Sequence, residues 1–395
     1  MSVHDLPEID ADVTLENWQT GPYVQWSFQH VDEVVPTLAI PASPTPAALT
    51  STPVPLDDLP VTLIDGSRTS VSSIVDSTDT DGWAVSRGGL LLTENYPRGM
   101  QPDTRHLLMS VSKSLIGMLT GTLVAQGLLD LSKPVEHYIP RLAGTGYSGA
   151  TVRNLLDMRS GIRFSEDYLD PMAEVRIIEQ VIGWAPPIAS DLPTSMYDFL
   201  AGLERKTEHG GPFDYRSCEA DMLGWLCEVA GGSSVTELLS QNLWQPMGAE
   251  FDAYIGIDAF GSGLYDGGIC ASLRDMVRFG ELLLNGGRSA LGVQVLPQEW
   301  VQDTWLGGED SAHAFQTSPT STLMIGGMYR NQCWFPAADH NVLLCLGIHG
   351  QMVYVNRITG VVAVKLSSWS EPQHAWKLFS TIRAFDTIGA HLIAQ

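Results

Sequence analysis

The sequence predicts a mixed α/β (α+β) chain: one antiparallel sheet, flanked by helices, is built from both ends, with a mainly helical segment inserted between. Three observations predict it. Trp83–Leu92 reads as two apolar strands around Gly88-Gly89, a hairpin signal. Val342–Ile348 and Gly360–Leu366 are apolar, strand-like runs near the other end. Between about 110 and 264 the pattern is mainly helical, with loops at Pro134, Pro140, Pro171, Pro186-Pro187 and Gly210-Gly211-Pro212.

Taken in chain order, residues 36–60 carry seven prolines among Ala, Ser and Thr, an extended arm without a period of its own. The organisation expected is a Pro-rich arm (1–60) packed on the body, a sheet domain (61–109 plus 265–395) and a helical domain (110–264). The active site is expected between the last two. Asp275–Leu284 is an amphipathic helix stopped by Asn285-Gly286-Gly287, and a last helix runs from Ala375 to Ile393.

With 395 residues, 44% hydrophobic and 17% charged, the chain can bury a large core. Its net charge of -23 argues against a nucleic-acid partner or an anionic membrane surface, both of which need basic clusters. Met1–Glu8 lacks the basic and apolar regions of a secretory signal, and no apolar run is long enough to span a bilayer. Cys218, Cys227, Cys270, Cys333 and Cys345 are scattered in apolar sequence and read as buried free thiols. The expected location is the cytoplasm.

Ser110-Val111-Ser112-Lys113 is the most informative stretch. It places a hydroxyl and an amine on one face at the head of an apolar helix, because positions i and i+3 share a face. Leu115, Ile116, Leu119, Leu123 and Val124 bury that helix and draw Lys113 into a dry environment. Desolvation favours the neutral amine, which can take the proton of a serine nucleophile. Ser-x-x-Lys is a loose pattern, and most matches are solvated helix faces. Among the five lysines, however, only Lys113 has a serine three residues before it and opens a long apolar run.

Other motifs carry less. Gly144–Gly149 matches Gly-x-Gly-x-x-Gly but follows no strand, so it reads as a loop. There is no Gly-x-Ser-x-Gly elbow and no metal-ligand spacing; neither a metal nor a cofactor is expected. A second proton-handling group is offered by Tyr215 or Tyr354. Tyr215 follows a Gly-Gly-Pro turn at a helix entrance and is favoured; Tyr354 sits in strand-like sequence and reads as core. In Gly347-Ile348-His349-Gly350 the histidine alone is more often structural. The glycines permit close backbone approach, so an amide near Ile348 can donate to an oxyanion.

Taken with Leu129–Pro140, Thr151–Met158 and Asp266–Asp275, these residues resemble the serine β-lactamase and penicillin-binding-protein superfamily. The likeness is to its class C-like branch with the family VIII carboxylesterases. Glu166–Pro171, Lys365–Trp369, Glu16–Gln19 and Trp26–His30 extend it over nearly the whole chain. The resemblance implies a β-lactamase/DD-peptidase-like fold and a serine hydrolase cleaving short-chain carboxylic esters and/or linear amides of the 6-aminohexanoate-oligomer type. It implies Ser110 as nucleophile, Lys113 as base, Tyr215 as proton relay, and the Ser110 and Ile348 amides as oxyanion hole. Tyr168, Glu166, Glu179, Asp266, Trp334, Ser217 and His349 are the implied substrate-binding residues. Cys333 stands where an aromatic is expected, which should reshape the pocket, and no Lys-Thr-Gly strand motif is present. The partner expected is a small-molecule ester or amide, with a homodimer suggested by the resemblance alone. Two alternatives stay open: a carboxylesterase without amidase activity, and a non-catalytic penicillin-recognising sensor.

Overall fold

A computed structural model describes residues 12–395. Met1–Glu8, read above for a targeting signal, lies outside them. The early strands are β1 (Thr37–Ile40), β2 (Thr50–Ser51), β3 (Pro60–Thr62), β4 (Arg68–Ser70), β5 (Thr80–Arg87), β6 (Leu90–Asn95) and β7 (His106–Leu107). Then come β8 (Ala253–Gly256), β9 (Ile269–Ala271), β10 (Met328–Arg330), β11 (Cys333–Phe335), β12 (Val342–Gly347), β13 (Gln351–Asn356) and β14 (Val361–Ser367). Five helices matter below: α1 (Val111–Ala125), α2 (Glu174–Val181), α3 (Cys218–Gly231), α4 (Leu273–Leu284) and α5 (Ala375–Ile393).

The expected hairpin forms: β5 and β6 pair antiparallel around Gly88 and Gly89, whose φ of 59° and 76° suit a tight turn that L-residues disfavour. β14 pairs antiparallel with β5, closing the two ends of the chain into one eight-stranded sheet, β10-β11-β12-β13-β14-β5-β6-β2. Among the described strands only β2 runs parallel to its neighbour. A second, four-stranded sheet has the order β1-β8-β9-β7.

Both faces of the large sheet are covered, which explains its continuous apolar runs. On β14, Val362 and Val364 join the core that holds Met276, Val277, Phe279 and Leu283 of α4, while Val361 and Ala363 pack with Ile382, Phe385 and Ile388 of α5. A Cβ at Gly280 would fall 2.4 Å from Val362, so α4 lies as close to the sheet as glycine permits.

The Pro-rich segment departs from a plain extended arm. Thr37–Ile40, bounded by Pro36 and Pro41, hydrogen-bonds to β8, and β2 extends the large sheet. Proline lacks an amide donor and is tolerated at strand ends and edges, as at Pro60, so short strands survive between prolines. β8 is itself a strand within the otherwise helical 110–264 stretch. Gly144–Gly149 is a turn with no strand before it. All five cysteines are buried and unbridged. Among the described residues no helix is long and apolar enough to cross a membrane.

Candidate active site

β7 delivers the chain to the site. Leu108 N–H donates to the Ile269 carbonyl at 2.9 Å, then Met109 turns sharply with φ +46°, a rarely populated region for a side chain of its size. Ser110 follows as the N-cap of α1. The amides of Val111, Ser112 and Lys113 bond back to the carbonyls of Leu108, Met109 and Ser110, whereas the Ser110 amide makes no such bond among the described residues. From Val111 to Leu123 every residue of α1 is buried, as expected of a helix apolar on all sides.

One turn on, Lys113 is 1% exposed. Its Nζ donates to Ser110 Oγ at 2.8 Å and to the Asp266 carbonyl at 2.8 Å, with Asp266 Oδ2 at 3.4 Å. The same nitrogen lies 5.3 Å from the centroid of the Tyr215 ring. Tyr215 comes from the loop entering α3 and leans on Trp334 of β11, their rings 5.2 Å apart. Tyr168 donates to Glu166 Oε2 at 2.6 Å, and the Ser217 amide donates to Glu166 Oε1.

Ile348 arrives from the other sheet strand. A Cβ on Gly347 would meet the Leu108 carbonyl at 2.5 Å and Met109 Cβ at 3.1 Å. Glycine therefore lets the end of β12 rest on the turn that carries Ser110, which brings the Ile348 and Ser110 residues to one cavity wall.

The electrostatics bring in neighbours that the apolar helix alone does not show. Burial alone pushes Lys113 toward the neutral amine, but its neighbours, Asp266 first among them, outweigh it and hold the lysine above its ordinary value. The direction is toward the ammonium, opposite to what desolvation by itself favours. Burial and the neighbouring Asp266 drive Asp221 well above the carboxylate range, against the pull of Lys113. Its Oδ1 accepts from the Asp266 amide at 2.9 Å, and its Oδ2 is buried without a hydrogen-bond partner among the described residues. Burial likewise raises Glu166 and Tyr215, each opposed by Lys113, and carries Glu179 up to about 7 against the Arg176 guanidinium 2.7 Å away.

Ser110 stands between two spaces. The larger, a cavity of about 540 Å³, is lined by Ser110, Glu166, Tyr168, Tyr215, Trp334 and Ile348 among others. The smaller, a recess of about 30 Å³, is bounded by Ser110, Tyr168, Ile348, Glu179, Ser217 and Asp266. His349 lines neither. It is 2% exposed, its Nδ1 lies 2.6 Å from the Trp369 carbonyl, and burial lowers its pKa to about 4, leaving a neutral ring. Cys333 also stays out of the cavity: strand alternation turns it into the core while its neighbour Trp334 faces the space. Tyr354 is a core residue bonded to Asp386 at 2.7 Å.

Sequence reasoning missed Asp221, although an acid in the first turn of the apolar helix Cys218–Gly231 was a visible signal. It also missed the far wall of the cavity, formed by Leu323 and Met324 and by Leu378 and Phe379 of α5. No local pattern joins those segments to Ser110.

Comparison with known proteins follows this geometry. Residues 75–378 match the Beta-lactamase family model. The chain is 38% identical over 362 residues to the 6-aminohexanoate-dimer hydrolase of Paenarthrobacter ureafaciens, spanning 92% of this chain and 90% of that one. A solved structure from Bacillus anthracis, provisionally named a 6-aminohexanoate-dimer hydrolase, superposes with a TM-score of 0.89 at 28% identity, over 97% of this chain and 98% of the other. A family VIII carboxylesterase shares the fold with a TM-score of 0.59 at 13% identity, over 80% of this chain and 96% of that one. The chain belongs to the beta-lactamase family and is a hydrolase of that superfamily.

Proposed function

We propose that this chain is a serine hydrolase that forms an acyl-enzyme at Ser110 and cleaves short-chain carboxylic esters and linear amides of the 6-aminohexanoate-oligomer type. The observation that carries the reading is the 2.8 Å contact between Lys113 Nζ and Ser110 Oγ at the wall of a 540 Å³ cavity. The 6-aminohexanoate-dimer hydrolase relative supports the substrate class.

In this mechanism Ser110 Oγ attacks the carbonyl carbon and its proton enters the Lys113–Tyr215 pair. The Ser110 and Ile348 amides receive the oxyanion, a preorganised interaction worth about 3 kcal/mol per donor in related chemistry. The tetrahedral adduct collapses as Tyr215 protonates the departing oxygen or nitrogen. Water then attacks the acyl-serine and the same groups return the proton.

Asp266 and the other neighbours favour the protonated lysine, so the form of the Lys113–Tyr215 pair that can take the serine proton gains as pH rises. Ester turnover is therefore expected to rise with pH through the alkaline range. Because the Asp266 carboxylate helps hold Lys113 up, Asp266→Asn lowers the lysine and moves the acid limb of kcat/KM to lower pH. A pH–rate profile of p-nitrophenyl acetate checks this; a limb that stays put or moves upward contradicts the assignment.

The reading as a whole is tested by intact mass after a fluorophosphonate probe, beside turnover of p-nitrophenyl acetate and 6-aminohexanoate dimer. Labelling at Ser110 with both substrates cleaved is the expected result. Ester cleavage alone leaves a carboxylesterase, labelling without turnover a sensor, and no label at Ser110 removes the mechanism.

A further inference from the structure

We propose that His349 is a positioning residue for the oxyanion hole: its imidazole locks the turn that aims the Ile348 amide at the developing oxyanion. The inference rests on the acyl-enzyme reading of Ser110 and deepens it, because it names what holds one of the two donors in place.

The turn depends on a rare backbone angle. Ile348–Gly350 form one 3-10 turn between β12 and β13, and inside it His349 takes φ +58° and ψ +17°. That left-handed region is sparsely populated by residues with a side chain. The two strands are already paired through Gly347 and Gln351 on either side of the turn. A return of His349 to negative φ therefore has to be absorbed within the turn, and the Ile348 peptide is the first to rotate. Outside the helix and strand ladders the Ile348 amide has no acceptor among the described residues, so its direction follows the shape of the turn.

His349 is fastened by its backbone and by its ring. Its N–H donates to the Pro372 carbonyl at 2.8 Å, and its carbonyl accepts from the Trp369 amide at 3.2 Å and from Gln351 Nε2 at 3.3 Å. Nδ1 of the ring lies 2.6 Å from the Trp369 carbonyl. A carbonyl only accepts, so Nδ1 carries the hydrogen. Burial lowers the ring to about 4, which keeps it neutral through the range of the assays. The imidazole also stands edge-on to Phe28, their centroids 5.2 Å apart. Phe28 is fully buried, and its carbonyl accepts from the Leu107 amide of β7 at 2.8 Å. One phenylalanine thus braces both the strand that delivers Ser110 and the turn that presents Ile348. Packing alone does not require the bond to Trp369, and that bond separates positioning from bulk.

His349→Gly and His349→Asn test the proposal. Both residues accept a positive φ, but only Asn carries an amide that can take the place of Nδ1. With p-nitrophenyl acetate, His349→Gly is expected to lose about 100-fold in kcat, the scale of one misdirected oxyanion donor, with KM within about threefold of the unsubstituted protein. His349→Asn is expected to keep kcat within about fivefold, the worth of one imperfect hydrogen bond. Phenylboronic acid, which binds the Ser110 oxygen as a tetrahedral adduct, is expected to weaken by about the same 100-fold in His349→Gly and to hold in His349→Asn. Equal kcat in the two variants, or a His349→Gly loss confined to KM, overturns the positioning role alone when the fluorophosphonate labels Ser110 of the unsubstituted protein. Should His349→Gly show no cooperative melt, His349→Phe, which keeps a ring against Phe28 and cannot donate, takes its place with the same expected loss. An unsubstituted protein that is neither labelled nor active overturns the acyl-enzyme reading, and the positioning role with it.

Discussion

Ser110→Ala is expected to slow hydrolysis of p-nitrophenyl acetate about ten-thousandfold or more while leaving the protein folded. The hydroxyl accepts a hydrogen bond from Lys113, and Lys113 keeps the Asp266 carbonyl when Oγ is gone. Stability should therefore fall by about 1 kcal/mol or less, the worth of one hydrogen bond. The Ser110 and Ile348 amides are backbone groups and survive the substitution, so a small residue of catalysis above water remains. Substantial turnover in contaminant-free protein would sink the nucleophile assignment. A thermal melt beside the assay separates lost chemistry from lost fold.

Lys113→Met is the second large effect, and it acts on stability as well as rate. The methionine fills the volume of the lysine stem but removes the cation that faces the Asp266 carboxylate. It also deprives the Asp266 carbonyl of its donor. Breaking a buried charge pair by removing one partner costs roughly 3–5 kcal/mol, so chemical denaturation should show a much lower midpoint. Turnover should fall with Ser110→Ala, because the two groups act as a unit and their losses are not additive. Adding Asp266→Asn to Lys113→Met removes the uncompensated carboxylate and should recover part of the stability without recovering activity. A double variant no more stable than Lys113→Met would mean that the Asp266 carboxylate is not the partner that matters.

The legible parts of this chain are those written in local pattern. Trp83–Leu92 foretold the hairpin because a Gly-Gly turn between apolar runs is local chemistry. The last helix could be bounded at Ala375 and Ile393 because its apolar spacing is continuous. Ser110 and Lys113 could be paired from spacing alone, since a helix brings i and i+3 together whatever surrounds it. Strand β2 is two residues long and carries no period, so nothing local announces it. The surroundings of Lys113 were only half legible, because desolvation is visible in an apolar helix, whereas Asp266 arrives from about 150 residues further on. Glu179, Asp266 and Trp334 entered only through family resemblance. The structure sets them around Ser110, and it sets His349 apart.

The two halves of the site draw on different parts of the molecule. In the proposed mechanism proton transfer is lodged in α1, the start of α3 and the Asp266 loop, while the far wall of the large cavity belongs to α5 and the segment around Leu323. Substitutions at Leu323, Met324, Leu378 or Phe379 can therefore redraw the range of compounds accepted without disturbing the groups that break the bond. A scaffold divided in this way can diversify under selection one wall at a time, and it gives an engineer the same freedom.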